Sequence, residues 1–353
     1  MDNIYYTESA QFTVFLNKLK DTCKVFSPVV KDPNAKEIDY FYKHAPDSQP
    51  PVFNSYRAVE PLKPFFTSPR EKITDYFISP KDVKEVTGKT IVLGVKSCDI
   101  AGHKVQDFVF LEGTGADNLY QLRRENTILI SGDCTDFKEV CHCLAWEILP
   151  HPTWGFDLNL SPLTEGYVIE VGSKKGEEFI RQYKEYFVKA KETQVSARKT
   201  KRDKLIERLK KHLAPQNLVS KDTVQRLVRQ GYNLDTWQQF MLPCVECGGC
   251  NLICDTCHCF LLTDEKEGNL NQKLRVWDSC QYANFARVAG GANPLKTRAQ
   301  RLRNRFMKKF DFFMDNLGMP ACCGCGRCIE VCPAKIDIRE VLKDLAKKLN
   351  IAK

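Results

Sequence analysis

Residues 244–254 read Cys-Val-Glu-Cys-Gly-Gly-Cys-Asn-Leu-Ile-Cys, and residues 322–333 read Cys-Cys-Gly-Cys-Gly-Arg-Cys-Ile-Glu-Val-Cys-Pro. Each holds a C-x2-C-x2-C-x3-C run. Three cysteines at this spacing wrap one face of a cubane, because each thiolate reaches a different iron from one tight loop. Gly248, Gly249, Gly324 and Gly326 let the backbone curl and turn its amides toward sulfur. The fourth cysteine leaves the loop and, in two-cluster ferredoxins, ligates the other cluster. One [4Fe–4S] cluster is therefore expected on Cys244, Cys247, Cys250 and Cys332. A second is expected on Cys322, Cys325, Cys328 and Cys254. Zinc also takes C-x2-C pairs, but not usually a doubled run of four ending in Cys-Pro. In the first motif Cys254 is followed by Asp255, where Cys332 is followed by Pro333; proline shapes the turn and is no ligand.

Outward from these motifs, the stretch 255–321 contains an amphipathic pattern, PLKTRAQRLRNRFMKKFDFFMDNLG (294–318), that closes on a glycine. Helices between the motifs predict an α-helical dicluster domain rather than the β-hairpin linkage of small bacterial ferredoxins. Two further helices, through DTVQRLVRQ and DTWQQFM, lead into Cys244. Lys296 to Lys309 contains seven Lys or Arg. This run reads as a docking or solvated face rather than a nucleic-acid stripe, since no reader motif accompanies it.

The N-terminal half has a different grammar. TIVLGV (90–95) and TILISG (127–132) read as buried strands, each running into a polar loop with a cysteine, and GYVIEV (166–171) is a third strand. In open α/β sheets sites gather where strands end. Cys98 and Cys134 lie at two such ends, with Cys141 and Cys143 close behind. If the strands are neighbours, the four thiols could converge on a third iron–sulfur cluster or a zinc; His142 or His103 could replace a ligand. Residues 176–212 read as exposed helices with a charged hinge at 191–204. The expected organisation is an α/β domain over 1–235, with the helical hinge, followed by an α-helical dicluster ferredoxin domain over 236–353; the fold is α+β overall.

Seventeen cysteines, an odd number, in a long chain without a signal-peptide pattern point to metal in a reducing cytoplasm rather than to disulfides. Cys257, His258, Cys259 and Cys280 read as packing around the first motif, Cys323 as a small buried thiol, and Cys23 has no role. No run approaches the roughly 18 apolar residues of a membrane span. The net charge of +9 does not decide between acidic protein partners and nucleic acid. No dinucleotide or phosphate loop and no nucleophile–base grouping stands out, so no catalytic residue is assigned.

Several runs are similar to one family: GVKSCDIAGHKVQDFVF (94–110), DNLYQLRREN (117–126), the Cys141–Cys143 pair, GFDLNL (155–160), CVECGGCNLICDTCHCF (244–260), RVWDSCQYANFARVAGGANP (275–294) and CGCGRCIEVCPAKIDI (323–338). That 4Fe–4S dicluster family comprises the beta subunits of sulfhydrogenases and the corresponding iron–sulfur chain of anaerobic sulfite reductases. Asp255 departs from it, since a proline usually follows that cysteine. The resemblance implies an electron-transfer subunit of a cytoplasmic anaerobic oxidoreductase complex. It also implies partner subunits: a flavin- and [2Fe–2S]-bearing diaphorase-like chain, and a terminal hydrogenase, sulfite reductase or heterodisulfide-reductase-like chain. The N-terminal cysteines match the family pattern as well. Two competing readings remain: a self-sufficient iron–sulfur flavoreductase with a site in the N-terminal domain, and a zinc-bearing nucleic-acid-binding protein.

Overall fold

The computed structural model describes residues 3–44, 53–76, 88–113, 115–268 and 270–351. Its N-terminal half is built on the strands β1 (Ile4–Glu8), β2 (Lys24–Val30), β3 (Tyr40–His44), β5 (Thr90–Val95), β6 (Thr127–Gly132), β7 (Leu158–Pro162), β8 (Gly166–Val171) and β9 (Val188–Lys189), while β4 (Arg70–Asp75) pairs elsewhere. They form one mixed sheet in the order β3-β2-β5-β6-β7-β8-β1-β9. Strands β2, β5, β6 and β7 run parallel, and antiparallel neighbours flank them.

The apolar runs of β5 and β6 are buried on both faces, as central parallel strands must be. Ile91, Leu93, Ile128 and Ile130 face one core, covered by α1 (Ser9–Lys20) and α4 (Lys174–Gln182). Val92, Val95 and Leu129 face the other, under α2 (Ser97–Phe110) and α3 (Asn118–Asn126). Near the end of β5 the pairing slips at Gly94, whose φ is +79°. A Cβ there would meet Asn54 Oδ1 at 2.5 Å, so only glycine fits.

The 191–204 run is not a hinge. It lies within one helix, α5 (Glu192–Leu213), which holds no Gly or Pro and starts with Gln194 Oε1 accepting from the Lys191 amide at 2.8 Å. Lys, Arg and Glu are good helix formers, so the charge marks a helix face and not a break. Arg198 bonds Glu170 at 2.9 Å and Arg202 forks onto Asp133 at 2.7 and 3.0 Å, tying α5 to the sheet.

The C-terminal half has its own core. Val224, Leu227 and Val228 of α6 (Lys221–Gln230) and Trp237 of α7 (Thr236–Met241) pack on Phe306, Phe310, Val341 and Leu345. Phe306 lies on α9 (Arg298–Met307), and Val341 and Leu345 on α12 (Ile338–Lys348). Helix α9 passes through a π turn, Lys308–Phe312, into α10 (Phe313–Leu317), and stops at Gly318 in the left-handed conformation. The segment between the motifs is not all helical, however. It also holds a hairpin, β10 (Phe260–Glu267) with β11 (Leu270–Trp277), and β11 pairs with β4 from the N-terminal half. Most of β10 is exposed, so it lacks the alternation that betrays a strand, and the pairing strand is remote in sequence.

Candidate iron–sulfur centres

The first motif opens into a short helix, α8 (Gly249–Leu252), and the second into α11 (Arg327–Glu330); each is entered through a glycine in the left-handed region, Gly248 or Gly326. The two short helices pack on each other. One cavity is lined by Cys244, Cys247 and Cys250 together with Cys332 from the other motif. Backbone amides already point at two of these sulfurs: Glu246 N lies 3.4 Å from Cys244 Sγ, and Ile336 N lies 3.4 Å from Cys332 Sγ. Cys328 also borders this cavity. The other four thiols gather too, since Cys322, Cys325 and Cys328 all lie within electrostatic reach of Cys254.

Buried cations lie against both groups. The basic run at 296–309 is not mainly a surface feature: Arg301, Arg305 and Lys309, spaced four apart on one helical face, are buried. Arg305 Nε donates to Asn251 Oδ1 at 2.8 Å, and Lys309 Nζ lies 3.3 Å from Cys254 Sγ. A hydrogen bond from Cys257 and the Lys309 charge hold the Cys254 thiol well below its ordinary range, against the effect of burial.

Asp255, at the position where the family usually carries proline, belongs to a buried cluster. Its Oδ1 accepts from the Lys63 amide at 3.0 Å, and Arg327 Nη1 reaches its Oδ2 at 3.3 Å and Asp99 Oδ1 at 2.6 Å. Burial and then the Asp99 charge push the Asp255 carboxyl well above its usual range. Burial also pushes Asp99 up, but Arg327 and a hydrogen bond from Asp255 outweigh it and hold Asp99 low. Asp255 thus favours its protonated form and Asp99 its ionised form.

Cys98, Cys134, Cys141 and Cys143 meet around a cavity of their own, that of the third centre, with Cys325 at its edge. The Cys134 loop is fixed by Asp133, gripped by Arg202 and by Asn159 Nδ2 at 2.9 Å, and by Lys96 Nζ on the Asp133 carbonyl at 3.0 Å. The Cys141–Cys143 loop is fixed by the second motif, through His142 N on the Gly324 carbonyl at 2.8 Å. His142 Nδ1 is taken by the Val140 carbonyl at 2.9 Å, and His103 bonds Tyr120, so neither imidazole lines this cavity. Burial lifts Cys134 to about 12 and Cys98 and Cys143 well above their ordinary range. Such thiols stay protonated until a cationic metal core takes them.

Arg57 is the decisive neighbour. Its guanidinium is buried against this cavity, with Nε on the Cys325 carbonyl at 2.7 Å and Nη2 on Glu330, yet Nη1 has no hydrogen-bond partner. A buried, unpaired donor costs about 1–3 kcal/mol or more when charged, so an acceptor is missing there. A thiolate-bound, negatively charged cluster supplies one, and the donor set fits an iron–sulfur group. Arg57, Arg327 and Lys309 carry no motif that marks them as site residues. The four-residue spacing of 301, 305 and 309 is the one signal the sequence offers for this layer of cations.

No helix among the described residues is long and apolar enough to cross a membrane. Residues 243–336 match the family model of a 4Fe–4S dicluster domain. Across 344 residues, 97% of this chain and 98% of the relative, the sequence is 30% identical to sulfhydrogenase 2 subunit beta of Pyrococcus furiosus. With that identity along nearly the whole length, the chain belongs to the 4Fe–4S dicluster family of the sulfhydrogenase beta subunits.

Proposed function

We propose that this chain is the electron-transfer subunit of a cytoplasmic oxidoreductase complex, with two [4Fe–4S] clusters in its dicluster domain and a third in the N-terminal half. Cys244, Cys247, Cys250 and Cys332 hold the first; Cys322, Cys325, Cys328 and Cys254 hold the second; Cys98, Cys134, Cys141 and Cys143 hold the third. The observation that carries this reading is Cys332, which lines the cavity of the opposite motif's three cysteines. When bound, such clusters supply one-electron redox chemistry. The chain's own residues keep the centres close. Cys328 borders the first cavity and Cys325 the third, so the second ligand set touches both others. Cys247 is exposed, and Leu242, Val245 and Val331 around it are open to solvent. That rim is the face for a partner subunit. The family reading makes one partner a flavin- and [2Fe–2S]-bearing diaphorase-like chain and the other a terminal catalytic chain, as the relative's name as a sulfhydrogenase subunit suggests for hydrogen or sulfur chemistry.

The test is anaerobic purification with iron, sulfide and EPR measurements on Cys332→Ser. The first-motif signal should be lost while the second-motif signal persists. Loss of the second-motif signal alone would overturn the crossed assignment.

A further inference from the structure

Beyond these three centres a fourth cavity lies behind the first motif and is lined by Cys257, His258, Cys259 and Cys280. It gathers three thiols and an imidazole on one wall, as the N-terminal cysteine cavity gathers its four thiols. Polar donors are also aimed at sulfur here. Asn251 Nδ2 lies 3.1 Å from Cys280 Sγ, and Gln281 Nε2 lies 3.7 Å from the same atom. Neutral thiols are weak acceptors, whereas N–H groups directed at a ligating sulfur are what surrounds a thiolate on iron.

The charge around the cavity agrees. Arg305, Lys308 and Lys309 all line it, and no carboxylate does. Arg305 also bonds the Asn251 amide oxygen and Lys309 approaches Cys254 Sγ, and the positive field they form here with Lys308 favours a negative occupant. Supply of the ligands follows from the fold. Cys257 and Cys259 enter on the segment leading into β10, Cys280 leaves on the turn after β11, and the hairpin closes the loop between them. Asp278 N on the Cys259 carbonyl at 2.9 Å pins its two ends together. His258 Nδ1 shares a hydrogen with the Thr256 carbonyl at 3.2 Å, which leaves Nε2 as the ring's free nitrogen.

We infer that Cys257, Cys259 and Cys280 hold a fourth iron–sulfur cluster, with His258 Nε2 as the fourth ligand. The inference rests on the iron–sulfur reading above but on none of its ligand assignments. Cys257 hydrogen-bonds Cys254 of the second set, so this site abuts that set as well. The second ligand set then borders three others and becomes a branch point, not the middle of a line.

Iron and sulfide analysis of the anaerobically purified full chain tests this with Cys280→Ala and Cys259→Ala, using circular dichroism to check folding. Each folded variant should contain about four fewer irons and sulfides than wild type, with the signals lost in Cys332→Ser and Cys134→Ser still present. Unchanged iron in either folded variant overturns the site, as does zinc in place of the missing iron. Wild-type protein answers the same question without a variant. Removing iron with a chelator should make Cys259 newly reactive to iodoacetamide, and equal labelling before and after overturns the proposal. A wild type without any iron or sulfide would instead sink the broader electron-transfer reading.

Discussion

The two cysteine motifs have the same spacing and opposite surroundings. Around the first, Cys247 is exposed and Leu242 and Val245 are 73% and 65% exposed. On its outer side Arg298 donates to the Cys244 carbonyl at 2.6 Å with its side chain 42% exposed, while the buried Arg301 and Arg305 bond Glu246 and the Cys250 carbonyl from behind. Around the second, Cys322 and Cys323 are buried, and Arg57, Lys309 and Arg327 are buried with them. Water can compensate the charge of a cluster at an open site, but inside a protein fixed cations must do so. The second motif is therefore wired into the interior and committed to its neighbours. The first is left open for another protein to cover.

The most severe way to break this contrast is Arg327→Met. It strips the shared cation from Asp99 and Asp255 and frees the carbonyls of Ala58, Val59 and Glu60, which the guanidinium also binds. Removing one partner of a buried ion pair costs about 3–5 kcal/mol, so chemical denaturation should show a loss of that order, and of most bound iron. Gly324→Ala comes next. Gly324 has φ +63°, and a Cβ there would sit 2.5 Å from Cys143 N and from His142 C. Backbone cannot step aside cheaply, so a destabilisation of about 2–3 kcal/mol is expected, from strain plus overpacking. The third centre should be disturbed along with the second. Gly248→Ala in the first motif meets mainly the Tyr282 ring, a side chain that can swing, and should cost less. If the two substitutions cost the same, the second loop is not braced as described.

Asp255→Asn is expected to cost about 1 kcal/mol, because an amide keeps the acceptor for the Lys63 amide and a donor toward Asp99 but loses the Oδ2 acceptor of Arg327. Asp99→Asn should cost more, since Arg327 then loses its ionised partner. Thermal melts of the two variants check the order. Equal costs would mean that the proton does not reside on Asp255.

Much of this arrangement is legible from the chain alone, because it is local. Thr90–Val95 and Thr127–Gly132 announce buried strands by unbroken apolar runs, and the helix ending at Gly318 announces its stop. The cysteine spacing identifies the thiols that the fold gathers. Illegible is whatever depends on distant pairing. Arg57 reaches Cys325 across most of the chain, and Arg275 of β11 bonds Glu71 of β4 at 2.8 Å, contacts that no periodicity encodes. The run at 296–309 misleads because its charge reads as exposure, whereas Arg301, Arg305 and Lys309 face inward on a four-residue repeat. Cys257, Cys259 and Cys280 escape a reading of the sequence for a related reason. The hairpin that brings the last to the other two hides in an exposed strand.

Arg298→Met is the smallest effect expected and the most direct probe of the open site. Arg298 sits 3.7 Å from Glu246, and the two side chains are 42% and 32% exposed. Exposed pairs of this kind contribute about 0–1 kcal/mol, and salt screens them further. The stability of the isolated chain should therefore shift by less than about 0.5 kcal/mol at moderate salt, with iron content unchanged. The consequence should fall on assembly instead. Arg298 borders the rim around Cys247, so the variant should bind its partner subunit more slowly, with a weaker dependence of the association rate on salt, while dissociation changes little. A loss of stability comparable to that of Arg327→Met would show that this rim, too, is braced like the interior. The contrast between an open port and a walled interior would then fail.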